Sequence, residues 1–132
     1  MLKDNFYTVE ERNNENPEKT IFSLRLMQKH EIYKGHFPGQ AVVPGVVSMQ
    51  IIKELCEILS GNKLQLQKAS NVKFPAPIIP ENNPIIEAEI NCICTEEKKH
   101  KVNAQIKSGN QVFLKLKALY TEASESLQTT CK

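Results

Sequence analysis

One helix-length segment stands among strand-like ones, and it is apolar almost all the way round. Val46, Val47, Met49, Ile51, Ile52, Leu55, Cys56, Ile58 and Leu59 crowd residues 46–60. A helix with apolar side chains around its first two turns leaves no face for water and has to be buried. Pro44 and Gly45 mark its entry, and Gly61-Asn62 its exit. Lys53, Glu54 and Glu57 make the second half more amphipathic, so Glu54 reads as a surface residue. A chain of 132 residues suits one domain with a modest core. Such a chain buries a helix of this kind by folding most of its other segments around it.

Those other segments read as strands. "NFYTVEER" and "TIFSLRLM" precede the helix, separated by the polar turn cluster "NNENPEK". After it come "LQLQKASNVKF" and then "PAPIIPENNP", whose prolines exclude a central strand. "IIEAEINCICTE" sets Ile86, Ala88, Ile90, Cys92 and Cys94 on one face against Glu87, Glu89 and Asn91 on the other. "KVNAQIK" and "QVFLKLKALY" flank Ser108-Gly109-Asn110 as a hairpin. The expected class is α+β: a curved antiparallel sheet wrapped around one central apolar helix. A single domain is expected over 1–123, with 124–132 as a frayed polar tail.

Composition excludes several functions. The net charge is +2, from 17 basic and 15 acidic residues, and the basic residues form no stripe with interleaved aromatics, so nucleic acid is not expected as a partner. The uncharged run over 35–52 holds prolines, glycines and glutamines and is no membrane span. The start is polar and acidic with no apolar leader core, and a cytoplasmic location is expected. The cysteines (Cys56, Cys92, Cys94, Cys131) lack zinc-like spacing and read as reduced thiols. A metal at Cys92-x-Cys94 needs further ligands, and only His100 lies near in sequence; no metal and no cofactor are expected. His30, at a strand end, and His100, in a charged turn, both read as solvated.

The chemistry gathers in "GHFPGQAVVPGVVSMQ", residues 35–50. His36 is the side chain best placed to exchange a proton near neutral pH. Gly35, Pro38 and Gly39 shape the loop that holds it. At the helix entry the N–H groups of Gly45, Val46 and Val47 lack intrahelical partners, and the helix dipole adds positive character. Together they suit abstraction of a proton alpha to a thioester, with the carbonyl oxygen held as it becomes an enolate; losing one such donor typically costs ~10²–10³ in rate. A histidine in a Gly/Pro loop also serves structurally by capping a carbonyl, and spacing alone leaves both roles open.

"HEIYKGHFPGQAVVPGVV" resembles the active-site segment of the hotdog-fold 3-hydroxyacyl-[acyl-carrier-protein] dehydratases, with their Gly-His-Phe-Pro-Gly, Pro-Gly-Val and central helix. "VKFPAPIIPENNPIIEAEI" is similar to that family's Phe-x-x-Pro-Val-x-Pro-Gly-Asp turn: Pro77 and Pro80 match, and Glu81-Asn82 replace Gly-Asp. The resemblance covers about residues 20 to 120. It implies that His36 acts on the alpha proton, that the Gly45 N–H polarises the thioester carbonyl, and that Phe37, Pro44 and Val46 lie near the acyl chain. It also implies a fatty-acid or related lipid pathway, a homodimer with the acyl tunnel at its interface, and a trimer of dimers as a larger assembly.

The family's acid stands five residues after the Pro-Gly pair, and here that residue is Gln50. An amide cannot protonate a leaving hydroxyl as a carboxylic acid does, although it can hydrogen-bond one. General acid catalysis is commonly worth ~10²–10⁴. Glu54, four residues on and on the same helical face, is the alternative acid, while Glu31 reads as solvent-facing. The leading expectation is a dehydratase-like lyase with His36 as base. Two alternatives stand beside it: a hotdog thioesterase in which Gln50 holds water, and a non-catalytic acyl-carrier-binding homologue. The expected partner is an acyl carrier protein or coenzyme A thioester, with Lys34, Lys68 and Lys73 as candidates for a basic mouth.

Overall fold

Six strands and one long helix follow one another in the order the patterning predicts. The computed structural model describes residues 2–16, 18–33 and 41–123. His36 and Phe37, with the rest of their loop from Lys34 to Gln40, lie outside the described residues, as does the tail from residue 124. Strands β1 (Tyr7–Asn16) and β2 (Lys19–Leu26) lead through a one-turn 3-10 helix (Glu31–Tyr33) towards helix α1 (Gly45–Ser60). Strands β3 (Leu64–Lys73), β4 (Ile85–Cys94), β5 (Lys99–Ser108) and β6 (Gln111–Glu122) complete the chain. All neighbours pair antiparallel, in the sheet order β1-β2-β4-β5-β6-β3. This is the α+β architecture expected. The chain departs from it between the first two strands: Asn13 to Asn16, expected in the turn, continue β1, with a register shift between Asn14 and Asn16.

The period-two pattern places one row of side chains after another under the helix. Phe22, Ala88, Ile106 and Leu114 stand in register across β2, β4, β5 and β6, and all four are buried. Beside them run Ile90, Ala104 and Leu116. Helix α1 buries Ile51, Ile52, Leu55 and Cys56 onto this surface and packs against β4 and β3. It stops where expected: Gly61 adopts φ 74° and its N–H closes on the Glu57 carbonyl at 2.9 Å. Only glycine takes that left-handed cap without steric cost. Between β5 and β6 the expected hairpin forms, but Ser108 pairs with Gln111, so the turn is only Gly109 (φ 58°) and Asn110.

Strand β3 differs from the rest. It is a sheet edge, and nearly every residue after Leu64 is exposed or half-exposed. Among the described residues no helix is long and apolar enough to cross a membrane.

Three polar residues lie elsewhere than the sequence suggests. Glu54 is 0% exposed and His100 is 3% exposed, so neither is at the surface. His30 is half-buried: its Nδ1 accepts from the Ile32 N–H at 3.0 Å, and its ring stands edge-on to Phe6 with centroids 5.2 Å apart. Each of the three has polar partners in the fold, which is what makes burial tolerable.

Candidate active site

The helix entry is assembled from two distant stretches of chain. Val43 donates its N–H to the Ile78 carbonyl at 2.9 Å, so the proline-rich segment after β3 clamps the residues leading into α1. Pro44 takes extended angles (φ −61°, ψ 146°) and caps the helix without a side-chain bond. Its carbonyl accepts from the Val47 and Ser48 N–H groups at 3.0 and 3.2 Å. Val47 is therefore not an open donor as expected. The N–H groups of Gly45 and Val46 have no acceptor among the described residues.

A cavity of about 360 Å³ opens at this point. Pro44, Gly45 and Ser48 line it from one side, and Phe74, Ile78 and Phe113 from the other. Ser48 turns its hydroxyl onto the Gly45 carbonyl at 2.8 Å, leaving an apolar interior. Gly45 is needed there for space, since a Cβ on it would lie 2.9 Å from the tip of the Phe74 ring. Val46 is 75% exposed and does not line the cavity. The site residues expected from sequence thus divide. Pro44 and Gly45 meet at the cavity, Val46 projects outward beside it, and His36 and Phe37 fall outside the described residues.

Gln50 and Glu54 meet one turn apart on α1. The Gln50 amide donates to Glu54 Oε2 at 3.0 Å. The same carboxylate accepts the Leu2 N–H at 2.8 Å, the Lys3 N–H at 2.9 Å and the Tyr7 hydroxyl at 3.0 Å. Burial pushes the Glu54 carboxyl up, but the bonds from Leu2, Gln50, Tyr7 and Lys3 outweigh it and hold it below the ordinary value. Tyr7 is pushed up, first by burial and then by the Glu54 charge. Glu54 is therefore an ionised anchor for the N-terminal segment. The bond also settles which way Gln50 faces: a carboxylate only accepts, so the amide nitrogen points at Glu54 and the carbonyl oxygen away.

A second polar group forms at the other end of the helix. Register places Cys94 opposite His100, and His100 opposite Tyr120, with Glu122 two residues further along β6 on the same face. His100 Nε2 lies 3.0 Å from Glu122 Oε2 and 3.9 Å from Cys94 Sγ, and its Nδ1 lies 4.0 Å from Cys92 Sγ. Cys92 also touches Cys56, and that hydrogen bond, against burial and with help from His100, pulls its thiol below the ordinary value. The strand-like run "KVNAQIK" starts at Lys101, one residue past His100, whereas β5 starts at Lys99. Extending the alternation of Val102, Ala104 and Ile106 back by one step finds His100. The same step forward along β6, from Ala118 and Tyr120, finds Glu122.

Comparison with known proteins gives a consistent picture. A family model described as ApeI-like, ApeI dehydratase, matches residues 10–118. The 3-hydroxyacyl-[acyl-carrier-protein] dehydratase FabZ of Wolbachia sp. subsp. Drosophila simulans (strain wRi) is 26% identical over 98 residues, covering 68% of each chain. The FabZ of Caulobacter vibrioides (strain NA1000 / CB15N) is 23% identical over 117 residues, covering 81% of this chain and 72% of its own. Among solved structures, a chain of the dehydratase heterocomplex ApeI:P from Xenorhabdus doucetiae superposes with a TM-score of 0.66 at 19% identity, covering 86% of this chain and 96% of that one. A point mutant of the thioesterase enzyme SAV0944 from Staphylococcus aureus superposes with a TM-score of 0.62 at 10% identity, covering 89% and 93%. At such identities these structures share the hotdog fold.

Proposed function

Because the chain belongs to the ApeI-like dehydratase family, we propose that it eliminates water from a 3-hydroxyacyl thioester, with His36 removing the alpha proton. The observation that carries this is the helix entry, where two N–H donors without acceptors among the described residues stand beside an apolar cavity of about 360 Å³. Gly45 N–H binds the thioester oxygen as negative charge builds on it. The acyl chain lies along the cavity and the outward-facing Val46, with Phe37 beside it. Gln50 takes the place of the family's acid: its carbonyl oxygen, turned away from Glu54, accepts from the 3-hydroxyl and orients it. The proton for the departing hydroxide then comes from His36, which gained one in the first half of the reaction.

The substrate is carried by acyl carrier protein or coenzyme A. The exposed Lys68 and Lys73 on β3 supply a basic approach for an acidic carrier. The working unit is one hotdog domain over 1–123, paired as a cytoplasmic homodimer through β3. That strand is an exposed sheet edge, and such an edge is a template for pairing with another strand. Pairing there covers Phe74, 49% exposed in the isolated chain. A trimer of dimers remains the larger assembly in view.

The test is intact mass spectrometry of a 3-hydroxyacyl-carrier protein after incubation with the purified chain. Loss of one water from the acyl group is the expected result. Loss of the whole acyl group would replace the proposal with thioester hydrolysis. An unchanged mass with binding retained would make the chain a non-catalytic carrier-binding homologue.

A further inference from the structure

We propose that Cys94, His100 and Glu122 form a zinc-binding site at the end of the molecule where helix α1 finishes. Their ligand atoms all lie within 4.8 Å of one another. The donors are a thiol sulfur, an imidazole nitrogen and a carboxylate oxygen, each an ordinary zinc ligand. Ligand atoms of a tetrahedral ion at zinc distances stand about 3.3–3.8 Å apart. The separations from His100 Nε2, 3.0 Å to Glu122 and 3.9 Å to Cys94, bracket that range. The Cys94 thiol reaches the Thr95 carbonyl at 3.5 Å, and its sulfur and a Glu122 oxygen converge on one ring nitrogen. A cation at that point satisfies all three.

The surroundings fit the ion. The ligands come from three adjacent strands, and the β4–β5 turn holds two of them in register. In that turn Thr95 N–H donates to the Lys99 carbonyl at 2.7 Å, and Lys98 takes φ 60°. With zinc on Nε2 the imidazole proton moves to Nδ1, which faces Cys92 Sγ at 4.0 Å. Cys92 is then an outer partner that orients the ring, as metal-bound histidines usually require. Binding releases the Cys94 thiol proton to solvent. Glu122 and Cys94 contribute two negative charges, and the C-terminal end of a helix favours a cation. Three protein ligands leave a fourth position, which faces a cavity of about 580 Å³ lined also by Arg12, Thr20, Leu59 and Asn62. That position holds water or a small anionic ligand, as at zinc sites of the open type.

The test uses the full chain, reduced and freed of metal, in a Cys131→Ser background that removes the tail thiol. Cobalt(II) is the probe because zinc is spectroscopically silent. The expected result is a thiolate-to-cobalt charge-transfer band that saturates at one equivalent and disappears when zinc is added. Cys94→Ser, at an exposed position, should abolish the band, while Cys92→Ser keeps it and Glu122→Gln weakens binding by about tenfold or more. Zinc should also raise the thermal midpoint of the parent and leave that of Cys94→Ser unmoved. No band in the parent, or an equal band in Cys94→Ser, would overturn the site.

Discussion

The two ends of helix α1 make opposite chemical offers. Sixteen residues separate them, a length of about 24 Å. At the N-terminal end the donors are backbone N–H groups, and among the described residues the cavity lining is apolar but for Ser48, which is turned onto the helix itself. At the C-terminal end the backbone is closed by Gly61, and the polar groups are side chains brought in by the sheet. The first end suits an uncharged acyl chain whose oxygen gains negative charge. The second suits a cation. The helix dipole favours both assignments, positive at one end and negative at the other. One buried helix thus leaves two separate places for chemistry, and a substitution at one should leave the other intact.

The sharpest way to break this comparison is His36→Ala. It should lower dehydration by ~10²–10⁴ while cobalt binding stays as in the parent. A parallel loss of cobalt binding would show that the two ends are not independent. Next in size is Gly45→Ala. The added Cβ would meet the Phe74 ring at 2.9 Å, and either the ring or the helix entry must give way. Turnover should fall by ~10² or more, because the donor that meets the oxyanion is displaced. Adding Phe74→Leu should recover part of the loss, and failure to do so would remove crowding as the cause. Steady-state kinetics on the two variants decides it.

The smallest effect is on stability. Glu54→Gln replaces an ionised acceptor of four bonds with an amide and should cost about 1–3 kcal/mol in denaturant unfolding at neutral pH. The pH dependence has a definite sign. The folded Glu54 carboxyl lies below its ordinary value, so its contribution is complete above about pH 4.3 and is lost as pH falls through the folded value. The parent should therefore lose stability on acidification below that point, and Glu54→Gln should lose less. Equal slopes for the two proteins would remove Glu54 as the acid-labile anchor.

The misreadings of Glu54 and His100 share one cause. Charged and titratable residues are usually exposed, so local neighbours alone place both at the surface. Their partners are remote. Glu54 is held by Leu2, Lys3 and Tyr7, about fifty residues away in sequence, and Glu122 lies 22 residues from His100. Nothing local in "IIKELCEI" announces that the N-terminal backbone will come to meet Glu54. The alternation of β5 and β6 did carry a signal for His100 and Glu122, but it gives a face and not a neighbour.

What the sequence determined by itself is whatever depends on short-range pattern. The apolar helix, its proline and glycine punctuation, the alternating strands and the hairpin at Gly109 are local consequences of backbone sterics and side-chain period. The Gly45 entry was legible for the same reason. The tertiary structure alone decided which elements meet: Phe74 across from Gly45, the N-terminal backbone on Glu54, and three strands converging on His100. Those contacts are set by sheet order and register, which pair residues far apart in the chain. Local pattern fixes which way a side chain faces, and only the packed sheet decides what it meets there.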